Sequence, residues 1–80
     1  MAVKFLFFGQ TSKWMSRSSL ELKIKSGTTL FECLKENSEL APILSHRQGL
    51  QVSVNSEFAD FLTKIHDGDE VAFLPPFSGG

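Results

Sequence analysis

VKFLFF, from Val3 to Phe8, places apolar side chains on both faces of an extended chain: Val3, Phe5 and Phe7 point one way, Leu6 and Phe8 the other. A strand of that kind suits the middle of a sheet, covered on both sides. Val71, Ala72, Phe73 and Leu74 repeat the pattern near the other end. Pro75-Pro76 stops that strand, because neither proline can donate to a ladder. Two segments between them alternate more cleanly and predict half-exposed strands. In one, Leu20, Leu22 and Ile24 alternate with Glu21, Lys23 and Lys25; in the other, Leu50, Val52 and Val54 run up to Asn55-Ser56.

The connections complete the order. GQTSKWMSRSS (residues 9–19) is polar and starts on glycine, so it predicts a hairpin loop. Thr29 followed by Glu32 fits a capping box and opens a helix with Leu30 and Leu34 on one face, stopping near Asn37-Ser38. Residues 39–48, with Pro42, predict a short helical turn or an irregular crossover. Phe58, Phe61, Leu62 and Ile65 have no clean period and predict a short strand and a turn. HDGDE (residues 66–70) is a tight turn with Gly68 available for positive φ. The economical sheet sets the two doubly apolar strands side by side, parallel through a right-handed crossover, with the hairpin partner and the third strand outside them. That is an α+β chain of the β-grasp, or ubiquitin-like, kind: a mixed sheet with one main helix on one face. Residues 1–80 form a single domain, with 75–80 a protruding tail.

Eighty residues lie near the lower limit for a core without staples, with little room for a catalytic cleft. A binding or carrier role is expected, not an enzyme on its own. One cysteine, Cys33, excludes an internal disulfide, and helical neighbours predict that it is buried and inert. Met1-Ala2-Val3-Lys4 runs straight into a strand pattern, so no signal peptide is expected, and no apolar run is long enough for a bilayer. The cytoplasm is the expected compartment. The net charge of −1 is uneven. Residues 1–25 set Lys4, Lys13, Arg17, Lys23 and Lys25 against Glu21, and the remainder is acidic, a distribution that either steers a partner or only solvates two faces. The basic residues are too few for nucleic-acid binding. Eight phenylalanines and no tyrosine place the aromatic mass in the core or a dry interface.

One helix cannot cover both faces of such a sheet. Some apolar residues of the central strands must therefore form an exposed patch, the mark of a partner site, and Phe8, Leu74 and Phe77 are its candidates. Gly79-Gly80 alone fits a frayed or engineered end as well as a functional one. After a central strand and Pro75-Pro76, which favours polyproline II, it predicts a projecting arm. From Phe77 to Gly80 that arm extends to roughly 13 Å at about 3.3 Å per residue. Its tip lacks Cβ atoms and fits a narrow channel. A carboxylate at Gly80 is attacked only after it gains a leaving group such as AMP, and sulfur can then replace that group to give a thiocarboxylate. His46 and His66 have no nucleophile partner, and no phosphate-binding loop is present. The chemistry would belong to partners.

DGDEVAFLPPFSGG (residues 67–80), with LFFGQ (residues 6–10) and VSVN (residues 52–55), resembles the small-subunit family of molybdopterin synthase, ubiquitin-like sulfur carriers of molybdenum cofactor synthesis. The resemblance implies that an E1-like adenylyltransferase, using ATP and Mg²⁺, activates Gly80, and that a sulfurtransferase relay converts it to the thiocarboxylate. The carrier itself would bind no cofactor. It implies that Pro75, Pro76, Phe77, Ser78 and Gly79 carry Gly80 into the large synthase subunit, where sulfur passes to cyclic pyranopterin monophosphate. The assembly it implies is a heterotetramer of two small and two large subunits. Phe77 stands where the family more often has valine or isoleucine, implying a wider channel in the partner, and Gly9 where alanine is commoner.

Three other readings remain open at this stage. A carrier for thiazole synthesis shares the terminal glycines but usually lacks the double proline. A protein modifier would join Gly80 to a lysine, and a plain β-grasp interaction module would make no use of the tail. Asp67, Asp69 and Glu70 are expected to shape a turn and not to hold a metal. Trp14 either contacts a partner or packs back on the hairpin.

Overall fold

The first strand, β1 (Val3–Phe7), pairs in parallel with the last, β7 (Glu70–Leu74), in the register Phe5↔Val71 and Phe7↔Phe73. This computed structural model describes residues 2–75. Antiparallel strands flank the central pair: β2 (Ser19–Leu22) beside β1, and β4 (Gln51–Val54) beside β7. The edge strand β5 (Glu57–Ala59) hangs on β4. Within the sheet order β2-β1-β7-β4-β5, the run β2-β1-β7-β4 is the arrangement predicted from the two doubly apolar strands, while the edge position of β5 was not. Asn55 and Ser56 turn the β4–β5 hairpin at φ 52° and 70°, the positive values that suit a two-residue turn between twisted strands. Asn55 also ties this hairpin to β7, accepting from the Glu70 N–H at 2.9 Å through its side-chain oxygen.

The helix α2 (Leu30–Glu36) begins on the predicted capping box. Thr29 Oγ1 accepts from the Glu32 N–H at 3.1 Å, and Glu32 Oε1 accepts from the Thr29 N–H at 3.2 Å. A 3₁₀ turn (Ser38–Leu40) and a short helix α3 (Ala41–Ser45), with Pro42 in its first turn, make the crossover. Two two-residue strands, β3 (Thr28–Thr29) and β6 (Lys64–Ile65), form a separate ladder. Gly68 turns the 66–70 segment at φ 87°.

The loop expected over residues 9–19 is corrected by the structure: Gln10–Met15 forms a helix, α1. Its inward position is the hydroxyl-bearing Thr11, 0% exposed, so no apolar helical stripe marked it. Trp14 packs back on the fold, against the core and stacked on His46 at 4.2 Å between ring centroids.

The core lies between the helices and one sheet face. Leu30, Cys33, Leu34, Leu40 and Ile43 cover Val3, Phe5, Phe7, Val52, Val71 and Phe73. Phe73 stacks with Phe5 at 6.1 Å and with Phe7 at 5.9 Å, and burial of each ring contributes about 1.5–3 kcal/mol. The central strands are not covered on both sides, as VKFLFF first suggested. All described helices sit on the core face, and Leu6 and Leu74 on the other face are only half-buried.

Candidate functional site

The uncovered face is built by alternation. Residues opposite each other in a ladder share a face, so the registers assemble rows across the sheet. Leu6 faces Ser19 and Ala72, Ala72 faces Ser53, and Ser53 faces Phe58. One residue pair nearer the strand starts, Lys4 faces Glu21 and Glu70, a charged row. Towards the strand ends, Leu74 faces Gln51, and Phe8 follows β1 with its N–H donating to Phe73 O at 3.1 Å. The face therefore runs from charged to apolar in the direction in which β7 leaves the sheet. From Leu6 to Phe58 it crosses three strand spacings, roughly 14 Å.

Two large side chains stand out from this face: Phe8 is 48% exposed and Phe58 83%. Covering a phenylalanine is worth about 1.5–3 kcal/mol, and Phe58 retains most of that value for a partner. The structure thus brings Phe8 and Leu74, both named from sequence, together on one face with Pro75 at its rim. Pro76, Phe77, Ser78, Gly79 and Gly80 lie outside the described residues. Phe58 and Leu6 were missed as site residues. Leu6 was visible as the outward member of VKFLFF, but Phe58 becomes a site residue only through the hairpin register with Ser53.

At the apolar end, Thr11 bridges Phe8, just past β1, and Phe73, the next-to-last residue of β7. The Thr11 hydroxyl proton is shared between Phe8 O at 2.6 Å and Phe73 O at 3.3 Å. Gly9 has φ 55° and ψ −130°, and the Thr11 N–H closes the turn on Phe8 O at 3.1 Å. Pro75 packs so close to Gly9 that a Cβ there would stand 3.1 Å from Pro75 Cγ.

Reactive side chains elsewhere are engaged in structure. Cys33 is 0% exposed, and burial, with the Glu36 carboxylate adding, pushes its thiol up to about 11; a protonated, enclosed sulfur is no nucleophile. The Asp69 carboxylate accepts from Asn55 Nδ2 at 2.9 Å and from the His66 N–H at 2.8 Å, holding its own turn. His66 Nδ1 lies 3.0 Å from Ser26 Oγ, and His46 Nδ1 lies 2.9 Å from Pro42 O. Among the described residues no group of three or more His, Cys, Asp or Glu is placed to hold a metal, and no helix is long and apolar enough to cross a membrane.

A mixed five-stranded sheet, a helix across one face and a last central strand running out beside the first define a ubiquitin-like β-grasp protein. The chain belongs to the ThiS family, whose model matches residues 5–80. It is 32% identical over 80 residues to the molybdopterin synthase sulfur carrier subunit of Mycobacterium tuberculosis, covering 98% of this chain and 96% of that protein. Among solved structures it is similar to SAMP1 of Haloferax volcanii, with a TM-score of 0.80 and 21% identity over the whole of both chains. That likeness concerns the fold alone. It is also similar, at a TM-score of 0.66 and 26% identity over both full chains, to a chain in the complex of subunits 1 and 2 of molybdopterin-converting factor from Helicobacter pylori.

Proposed function

We propose that this chain is the sulfur carrier subunit of a molybdopterin synthase and that its uncovered sheet face docks the large subunit. The observation that carries the proposal is the apolar strip of Leu6, Phe8, Phe58, Ala72 and Leu74, which ends where Pro75 leaves the sheet. A partner seated on that strip is adjacent to the start of the tail. The Mycobacterium tuberculosis relative and the two-subunit Helicobacter pylori complex support the same reading.

In this proposal the carrier performs no catalysis. An E1-like enzyme with ATP and Mg²⁺ joins the Gly80 carboxylate to AMP and releases pyrophosphate. A sulfide-level sulfur donor then displaces AMP, giving the thiocarboxylate. Inside the large subunit that sulfur is transferred to cyclic pyranopterin monophosphate, and the carboxylate of Gly80 is regenerated by water. Gly79 and Gly80 form the slender tip, while Pro75, Pro76, Phe77 and Ser78 form the arm in the partner's channel. The described side chains contribute docking area and a rigid base for the arm.

The test is an intact-mass spectrum after incubation with ATP, Mg²⁺, an E1-like partner active on its own carrier, and sulfide. A gain equal to one sulfur-for-oxygen exchange, mapped to Gly80 and absent when Gly80 is deleted, is the expected result. An unchanged mass overturns the carrier reading. An isopeptide adduct through Gly80 without that exchange moves the assignment to a protein modifier.

A further inference from the structure

We propose that the charged row of Glu21, Lys4 and Glu70 fixes which way round the large subunit sits on the uncovered face, by meeting a carboxylate flanked by two cations on that partner. This rests on the docking face proposed above. Strand register builds the row. Lys4 lies directly opposite Glu21 on β2 and Glu70 on β7, so the charges run minus, plus, minus across three neighbouring strands. All three residues are exposed. Ion pairs between exposed side chains add little to a fold, so these charges remain available to a partner.

The need for such a row comes from the apolar strip beside it. Leu6 and Ala72 lie two residues along β1 and β7 from Lys4 and Glu70, roughly 7 Å, and Phe8 and Leu74 lie two residues further on. Burial of apolar surface is non-directional, so a flat apolar patch can seat on the strip in either of two senses, half a turn apart about the sheet normal. That half turn carries the partner's acceptor site from the rim where Pro75 stands to the rim where Lys4 stands. Charge on one side of the strip removes the ambiguity. At the Pro75 end the ladder neighbour of Leu74 is the uncharged Gln51, so a band complementary to the row finds its match in one sense only, and like charges oppose a shifted register. The spacing also states what that band is. The two carboxylates stand two strands apart, roughly 10 Å, with the ammonium between them. The partner therefore presents two basic side chains at that separation with an acid between.

The experiment is stopped-flow association of the full-length carrier with the large subunit, at low salt and at about 1 M salt, where the Debye length is about 3 Å. Two variants exchange charges within the row: Lys4→Glu with Glu70→Lys, and Lys4→Glu with Glu21→Lys. One lysine and two glutamates sum to −1 in the wild type and in both variants, so net charge is constant and only the pattern changes. At low salt both exchanged carriers should associate about 10-fold more slowly than wild type, and at about 1 M salt the difference should close. Urea midpoints show whether each variant folds, and if one does not, the other decides. Wild-type association by an exchanged carrier at low salt overturns the row and leaves the docking face standing. So does a slowing that persists unchanged at high salt, which would be steric and not electrostatic. A wild type that does not bind the large subunit at either salt overturns the docking face itself, and the row with it.

Discussion

Alternate residues of the same strands meet opposite fates on the two sheet faces. Phe5, Phe7, Val71 and Phe73 are sealed under the helices, while Leu6, Phe8, Phe58 and Leu74 face outward from the same sheet. Hydrophobicity does not separate the groups; what lies over them does. The described residues form one helical layer, and it lies on the core face. The same side-chain chemistry therefore stabilises the fold on one side and remains available for association on the other.

The sharpest way to break that comparison is to truncate one ring on each side. Phe73→Ala empties a position with 0% exposure between two stacked rings and should cost about 3–5 kcal/mol, a large share of the roughly 5–15 kcal/mol that holds a domain together. Urea denaturation should show a collapse of the midpoint or no folded baseline. Phe58→Ala, at a site 83% exposed, should leave the midpoint within about 0.5 kcal/mol of wild type. Its affinity for the large subunit should instead fall by about 2 kcal/mol, roughly 30-fold, in calorimetric titration. Equal losses of stability from the two substitutions would mean that the uncovered face is part of the core.

Part of this division is written in the sequence. VKFLFF and VAFL are apolar at every position but Lys4, so their central, adjacent placement followed from topology, as did the outward placement of Phe8 and half-buried Leu74 once one helix had to cover two faces. The helix α1 was hidden because six residues make fewer than two turns, and its buried position is a threonine that serves two carbonyls. Phe58 was hidden because three edge residues carry no period, and its face is set by pairing with Ser53. The close approach of Gly9 and Pro75 was invisible for a different reason: they are neighbours only because the first and last strands are parallel and end together.

A smaller effect tests the covering layer itself. The α2 cap fixes the start of the helix that carries Leu30, Cys33 and Leu34 into the core. Thr29→Ala removes the oxygen that accepts from the Glu32 N–H and should cost about 1 kcal/mol. That loss should appear in the urea midpoint and leave affinity for the large subunit unchanged, because the cap lies away from the uncovered face. A loss of affinity without a loss of stability would show that the helical side also touches the partner.

The smallest effect lies in the other half of the cap and shows itself through pH. The Glu32 carboxyl is held below its ordinary value, chiefly by the hydrogen bond from the Thr29 backbone N–H, then by the Thr29 hydroxyl, with Lys35 and Lys64 adding weaker attraction. A carboxyl whose folded value is depressed favours the folded chain when ionised. Its contribution is therefore complete above the unfolded carboxylate value and is lost as pH falls through the folded one. Glu32→Gln still accepts the backbone hydrogen bond but has no proton to gain. Wild type should therefore exceed Glu32→Gln in urea midpoint near neutral pH, and the gap should close between about pH 5 and pH 3. Added salt should narrow it only slightly, since the lysines are the lesser cause. A gap that persists unchanged into acid would mean that the side chain acts by shape and not by charge.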